Sequence, residues 1–284
     1  MINIIISIFL FLLALLIGYA GSLDGPSIFG YPGLMLIATV GFLIHWLVFI
    51  PSYLFKTEKY YDITGTIAYL VMTALAVFSA DELNHRSQVV AVLIVVWALR
   101  LGLFLIVRVF QVGEDKRFHE VKKSFLRFLV WFSMSALWVF LTTANALTVI
   151  LNNHPLIDDG YFLIGLMIWM IGFAFEVTAD EQKRRFRNNP NNKGRFIRTG
   201  LWSISRHPNY FGEILIWVGM AIISFPVLSG WQYTTLISPL FVTLLLTRVS
   251  GINLLEASSD KNWGDMESYQ QYKQQTSVLV PFIK

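Results

Sequence analysis

The sequence predicts an all-α integral membrane protein, a bundle of seven to eight transmembrane helices, on three observations. The chain of 284 residues is 55% hydrophobic and only 14% charged, with a mean hydropathy of +0.59, whereas a soluble domain carries roughly 25% charged residues. Apolar runs of about 20 residues, the length that a hydrocarbon core of about 30 Å demands, recur through most of the chain. The basic residues between those runs fall almost entirely on alternate loops.

Eight runs are counted. The first, Ile4–Gly21, ends in Gly-Tyr-Ala-Gly-Ser, which resembles a cleavage site for a secretory signal, but no Lys or Arg precedes it, so it is read as a retained helix. Gly33–Phe55 follows, then Ile63–Ala80, opened by Asp62, and Val89–Val112, with Arg108 near its end. Phe125–Leu151 is the fifth run, and Tyr161–Asp180 the sixth, closed by Glu176 and Asp180. The seventh, Tyr210–Leu228, is opened by Asn209 and Glu213 with Pro208 suited to the first turn. The eighth, Tyr233–Leu254, is terminated by Arg248 and Glu256. No internal repeat or long linker divides the chain, so residues 1–284 read as one membrane domain.

With the N-terminus in the cytoplasm, the loops after the second, fourth and sixth runs and the C-terminal tail are cytoplasmic. They hold almost all the Lys and Arg between runs, including Lys183, Arg184, Arg185, Arg187, Lys193, Arg195, Arg198 and Arg206, whereas the opposite loops carry Arg86 among several carboxylates. This positive-inside bias predicts a multi-pass protein of the inner (plasma) membrane with both termini cytoplasmic. It also accounts for the net charge of +4 without nucleic acid as a partner; membrane lipids are the expected surroundings and a monomer the expected state.

The absence of cysteine excludes disulfides, thiolate metal sites and Cys nucleophiles. His45, His85, His119, His154 and His207 are scattered without metal-ligand spacing, so no metal is expected. Neither G-x-G-x-x-G after a strand nor G-x-x-x-x-G-K-[ST] occurs.

Polar residues nevertheless converge on the cytoplasmic side. Glu176 and Asp180 are four apart, as are Asn209 and Glu213, so each pair shares a helical face. Arg100 and Arg108 are eight apart, about 80° around a helix, and Arg100 lies roughly 12 Å deeper. Each feature alone has a plain structural reading: Glu176 and Asp180 as a helix end paired with Lys183 or Arg184, Arg108 as a residue snorkelling to headgroups, His207-Pro208 as a helix start. Together, covered by a loop with eight basic residues, they read as a cavity for a large anionic ligand of nucleotide character, held between helices.

The stretch Gly194–Ile222, G-R-F-I-R-T-G-L-W-S-I-S-R-H-P-N-Y-F-G-E-I-L-I-W-V-G-M-A-I, resembles the signature of bacterial membrane proteins of the steroid 5-alpha-reductase superfamily, which includes the sterol reductases. Y-Y-D-I-T-G (Tyr60–Gly65), the stretch Trp97–Phe118, the stretch Phe175–Arg195 and the C-terminal tail extend the resemblance over residues 57–284. It implies a reductase that binds NADPH in a cytoplasm-facing cavity, with residues 181–209 as the cofactor-binding loop, and reduces a carbon–carbon double bond of a lipid-soluble substrate such as a steroid enone. It implies Asp180 toward the adenine end, Arg187 and Arg195 toward the phosphates, and Asn209 with Glu213 on the nicotinamide carboxamide, to which they offer a donor and an acceptor. Arg100 aligns with a cofactor-proximal Arg, and Arg108, Glu176, Arg198, His207, Tyr210, Arg248 and Glu256 complete the candidate cofactor set. Counted from Arg100, the catalytic Tyr of the steroid-reducing branch is replaced by Trp97, and its Gln-Glu pair by Asp62-Ile63. Asp62, Tyr61 or Tyr69 then takes the acid role, or the substrate is not a 3-oxo-steroid. Phe42, Trp46, Phe49, Tyr53 and Trp97 are expected to line a lipid-accessible pocket or to pack. The alternative is a methyltransferase resembling the isoprenylcysteine carboxyl methyltransferases, which carry a similar R-H-P-x-Y-x-G segment and use S-adenosylmethionine.

Overall fold

The computed structural model describes residues 2–80, 82–112, 116–154 and 158–283, and within these every side chain except those of Arg108, Phe110, Gln111, Val112 and Lys116. Among the described residues, eight helical segments are long and apolar enough to cross a membrane, as many as the runs counted in the sequence. The chain divides into two compact units, Met1–Phe162 with Ser224–Ser238, and Leu163–Ile223 with Pro239–Lys284.

The first unit contains α1 (Ile2–Ser22), a two-residue hairpin of β1 (Ser27–Ile28) and β2 (Tyr31–Pro32), α2 (Gly33–Leu54), α3 (Lys59–Phe78), α4 (His85–Val112) and α5 (Phe125–Asn152). α5 is its centre: 89% of its most apolar stretch is buried, against 33–44% for α1 to α4. Its sequence mixes Phe128, Phe132 and Phe140 with Ser133, Ser135, Thr142, Thr143 and Thr148, all buried, and small hydroxyl residues let neighbouring helices approach closely. Thr142, Thr143 and Thr148 donate to the carbonyls of Trp138, Val139 and Ala144 at 2.8 Å each, which satisfies their hydroxyls inside the helix.

α2 starts after Pro32 without a side-chain cap of its own. Ser22, at the end of α1, takes that role: its Oγ accepts from the backbone N–H of Leu34 at 3.0 Å and donates to the Gly18 carbonyl at 2.7 Å. Phe42, Trp46, Phe49 and Tyr53 take the packing alternative. Phe42 packs on Phe11 (centroids 5.1 Å apart), Phe49 on Phe132 (5.7 Å) and Tyr53 on Phe125 (5.1 Å), while the Trp46 indole donates to Ser133 at 3.0 Å; aromatic pairs of this kind contribute about 0.5–1.5 kcal/mol beyond the area they bury.

The second unit holds α6 (Gly160–Asn188) from Leu163 onward, α7 (Pro208–Ser224), the end of α8 (Ile237–Leu244), α9 (Ile252–Trp263) and α10 (Glu267–Gln275). Here α6 runs two turns past the expected end at Asp180. The added turns are strong helix formers, and Glu181 ties them by ion pairs to Arg184 (2.7 Å) and Arg185 (2.6 Å). The segment expected as a loop over 181–209 is therefore helical to Asn188 and continues through short 3-10 turns at Pro190–Asn192 and Gly200–Ser203.

The expected eighth span, Tyr233–Leu254, is not one helix. A π-helical turn at Leu245–Val249 follows α8, and the chain then bends at Gly251, where φ is −108° and ψ −105°. A Cβ on Gly251 would collide with the Leu246 carbonyl oxygen, so the bend depends on glycine. Arg248 thus lies on the π turn and Glu256 on α9, a separate helix.

Candidate functional site

In the first unit, α3, α4 and α5 enclose a cavity of about 40 Å³. α3 contributes Tyr61, Asp62, Gly65, Thr66 and Tyr69, α4 contributes Trp97, Ala98, Leu101 and Leu105, and α5 contributes Ser135, Trp138 and Val139. Spacings of three and four put each group on one helical face. All three candidate catalytic residues, Asp62, Tyr61 and Trp97, therefore meet at one cavity, together with the alternative acid Tyr69.

The hydroxyls around this cavity are committed. Tyr61 donates to the Trp131 carbonyl at 3.1 Å. Tyr69 Oη lies 2.8 Å from Thr142 Oγ1; since Thr142 spends its proton on the Trp138 carbonyl, Tyr69 is the donor. His45, fully buried, places Nδ1 2.7 Å from the Gly41 carbonyl and Nε2 3.1 Å from Ser135 Oγ. A carbonyl only accepts, so Nδ1 carries the proton and Nε2 accepts that of Ser135. Trp97, 1% exposed, meets the Tyr69 ring edge-on with centroids 5.2 Å apart. Arg100 does not line the cavity; its guanidinium lies 5.5 Å from the centre of the Phe104 ring. The Arg108 side chain lies outside the described residues.

The second unit is built on a different principle. Gly165 and Gly172 of α6 face Gly219 and Gly212 of α7, and a Cβ on any of the four would stand 2.6 Å from a backbone oxygen of the partner helix. Such glycines let two helices meet backbone to backbone. Beside this contact Glu176, Asp180 and Glu213 are buried (3%, 7% and 8% exposed), and Asn209 and Tyr210 are half-buried. Arg187, Arg195, Arg198 and Arg248 are exposed.

Ser205–Glu213 is held from two directions. The C-terminal tail pairs with it: Ser205 bridges Ser277, the Arg206 N–H donates to the Ser277 carbonyl at 2.8 Å, and Ser205 Oγ donates to the Leu279 carbonyl at 2.7 Å. From α9, the Glu256 carboxylate meets Arg206 Nη1 and His207 Nε2 at 2.9 Å each. His207 also stacks on Tyr210 at 5.7 Å. Burial holds the His207 imidazole below the usual histidine range, against the pull of Glu256, so His207 donates to Glu256 as a neutral ring. Two candidate cofactor residues, His207 and Glu256, are thus committed to each other. The preceding turn is fixed by Trp202, whose indole donates to the Ala179 carbonyl at 3.0 Å, and by Tyr272, which donates to the Trp202 carbonyl at 2.6 Å. Ser135, Trp138 and Tyr272 were not singled out from sequence, because nothing in their spacing distinguishes them from ordinary packing.

Comparison with known proteins adds family and relatives. The DUF1295 family, described as a protein of unknown function, matches residues 48–276. The chain is 28% identical to 3-oxo-5-alpha-steroid 4-dehydrogenase 1 of Rattus norvegicus over 123 residues, covering 43% of this chain and 42% of that protein. It is 35% identical to steroid 5-alpha-reductase DET2 of Gossypium hirsutum over 63 residues, 22% and 24% of the two chains. A protein described as probable O-methyltransferase ustE, from Ustilaginoidea virens, is 28% identical over 92 residues, 32% of each chain. The chain thus spans less than half the length of these relatives. No solved structure matches it.

Proposed function

We propose, on the premise that the chain belongs to the DUF1295 family and with it to the steroid 5-alpha-reductase and sterol reductase superfamily, that it is an NADPH-dependent membrane reductase of a carbon–carbon double bond in a lipid-soluble enone. The observation that carries this reading is the meeting of Tyr61, Asp62, Tyr69 and Trp97 around one small cavity among apolar helices. A carbonyl oxygen seated beside such groups is polarised, and charge that develops on it in the transition state is stabilised away from water.

NADPH is the cofactor of this reading, and the residues of the second unit fit it by their donor and acceptor chemistry. Buried carboxylates at Glu176, Asp180 and Glu213 are acceptors for amide N–H and ribose O–H groups, Asn209 adds an amide, and exposed Arg187, Arg195 and Arg198 suit phosphates. When bound, NADPH supplies a hydride. The chain's own work is to hold the two ends of the carboxamide with Asn209 and Glu213, to keep water from the enone, and to present a proton from Asp62, Tyr61 or Tyr69 to the oxygen. Asp62 donates only while protonated; a tyrosine donates only by giving up its present acceptor. In this reading the cofactor segment faces the cytoplasm of the plasma membrane.

Quenching of the nine tryptophans separates the reading from a methyltransferase. NADPH should quench the purified protein and S-adenosylmethionine should not; the reverse result sinks the reductase. Glu213→Ala should abolish enone-driven NADPH oxidation while leaving expression intact, and unchanged turnover removes that residue from the site.

A further inference from the structure

Around the cavity between α3, α4 and α5 the hydrogen-bond donors can be accounted for individually. Tyr61 is spent on the Trp131 carbonyl, Tyr69 on Thr142 and Ser135 on His45, and Thr66 lies 3.3 Å from the Asp62 carbonyl. Trp138 differs. Its Nε1–H is buried and has no hydrogen-bond partner, and among the described residues lining this cavity it is the one side-chain donor or acceptor in that condition. A buried N–H without an acceptor carries its full desolvation penalty, and such groups are rare enough in folded proteins to need an explanation. An indole also has no alternative: it donates and cannot accept.

We propose that the Trp138 indole N–H is the binding donor for the substrate's carbonyl oxygen, and that this cavity is the seat of the substrate's polar end. The proposal rests on the reductase reading and adds to it the group that receives the oxygen. The size agrees: about 40 Å³ has room for an oxygen-bearing tip, since roughly 10–15 Å³ by this kind of measure already admits a water, but not for a ring system. The chemistry agrees too. An enone oxygen gains negative charge as hydride adds to its β-carbon, so an N–H that donates to that oxygen binds the transition state more tightly than the ground state. Trp138 needs no proton transfer for this and no break in an existing bond, whereas Tyr61 and Tyr69 must each leave an acceptor. It supplies the hydrogen bond that Trp97, at the position the family resemblance gives to a tyrosine, does not supply as a phenol.

The test is Trp138→Phe, which keeps an aromatic ring and deletes the donor, assayed on the full-length protein in detergent. The probes are a 4-en-3-one steroid and the same steroid lacking the 3-oxygen. Wild type should bind the ketone more tightly. The variant should lose that preference while binding the deoxygenated steroid as wild type does, and kcat/KM for the enone should fall about 100- to 1,000-fold, as for loss of one oxyanion donor. A variant that keeps the preference overturns the proposal and leaves the reductase reading standing. If wild type reduces enones with NADPH yet binds ketone and deoxygenated steroid equally, the oxygen is not held and the proposal falls alone; if it neither binds nor reduces enones, the reductase reading falls and takes the proposal with it. Should the variant fail to fold, wild type decides: of nine ¹⁵N-labelled indoles, one should shift downfield with the ketone and not with the deoxygenated steroid, and no shift overturns the assignment.

Discussion

Gly212→Ala is the sharpest test of how the second unit is held. A Cβ at Gly212 would lie 2.6 Å from the Glu176 backbone nitrogen and 2.6 Å from the Gly172 carbonyl oxygen, while ordinary contact begins at 3.4 Å. The obstacle is backbone, so no side-chain rotation relieves it, and α6 and α7 must separate locally by about 0.8 Å, the difference between 2.6 and 3.4 Å. Overpacking of this kind costs about 1–3 kcal/mol, which for a chain this size is a drop in Tm of about 3–10 °C. Gly219→Ala meets Gly165 and Trp169 at 2.6 and 2.7 Å and should cost as much. Gly160→Ala, with nothing within 4 Å, should move Tm by less than about 1 °C. The double variant Gly212→Ala/Gly219→Ala should lose less than the sum, because one displacement of the helix relieves both collisions. Gly212 adjoins Glu213 and packs on Glu176, so its variant should also weaken NADPH binding about tenfold, whereas Gly219→Ala, about two turns away, should not. Thermal unfolding in detergent followed by tryptophan fluorescence reads the first effect and NADPH titration the second. A Gly212→Ala protein as stable as wild type, or a Gly160→Ala protein as unstable as Gly212→Ala, refutes the reasoning.

Two further outcomes follow from the same structure. Because burial keeps His207 neutral in the fold, the unfolded chain binds the extra proton first; stability should be unaffected by His207 above pH about 6.5 and fall as pH drops below it. Tm measured from pH 7.5 to 5 should show that acid limb in wild type and a flatter one in His207→Gln, which keeps an N–H for Glu256 but does not titrate; equal slopes count against a buried neutral ring. The chain has no cysteine, so Lys193→Cys and Tyr31→Cys, both at exposed positions, report orientation with an impermeant maleimide. Lys193→Cys should label in inside-out vesicles and Tyr31→Cys in right-side-out ones, and the opposite pattern inverts the topology.

The number of spans was legible because run length answers directly to membrane thickness, and a charged loop is conspicuous among apolar helices. The failures share one cause, that hydropathy reports side chains and not backbone. Leu245 and Leu246 are as apolar as α8 and Arg248 reads as the ordinary close of a span, so the π turn and the bend at Gly251 leave no mark on hydropathy. Residues 181–188 are polar but for Phe186 and so look like a loop, yet their helix propensity and the Glu181 ion pairs carry α6 through them. The glycines of α6 and α7 were visible as letters, seven apart on each helix, but their meaning needs the antiparallel register that sets 165 against 219 and 172 against 212. Tyr61, Asp62 and Trp97 could be named from a resemblance; that Trp138 joins them follows only from how α5 is turned.

Buried polar groups are satisfied in one place by paired charges and in another by neutral hydroxyls, and this bears on which residue gives the proton. In the second unit charges are paired, so that Glu256 answers both Arg206 and His207, and a carboxylate there is a fixed acceptor. Around the cavity of the first unit neutral hydroxyls are chained onto backbone carbonyls, Tyr61 directly and Tyr69 through Thr142. If Tyr61 turns to a substrate, the Trp131 carbonyl, which lies inside α5, loses the phenol but keeps the N–H that the helix gives it. If Tyr69 turns, Thr142 keeps its own bond to the Trp138 carbonyl and loses only an accepted proton. Either phenol can therefore turn to a substrate without leaving its acceptor unpaired, and both stand on the cavity that Trp138 lines.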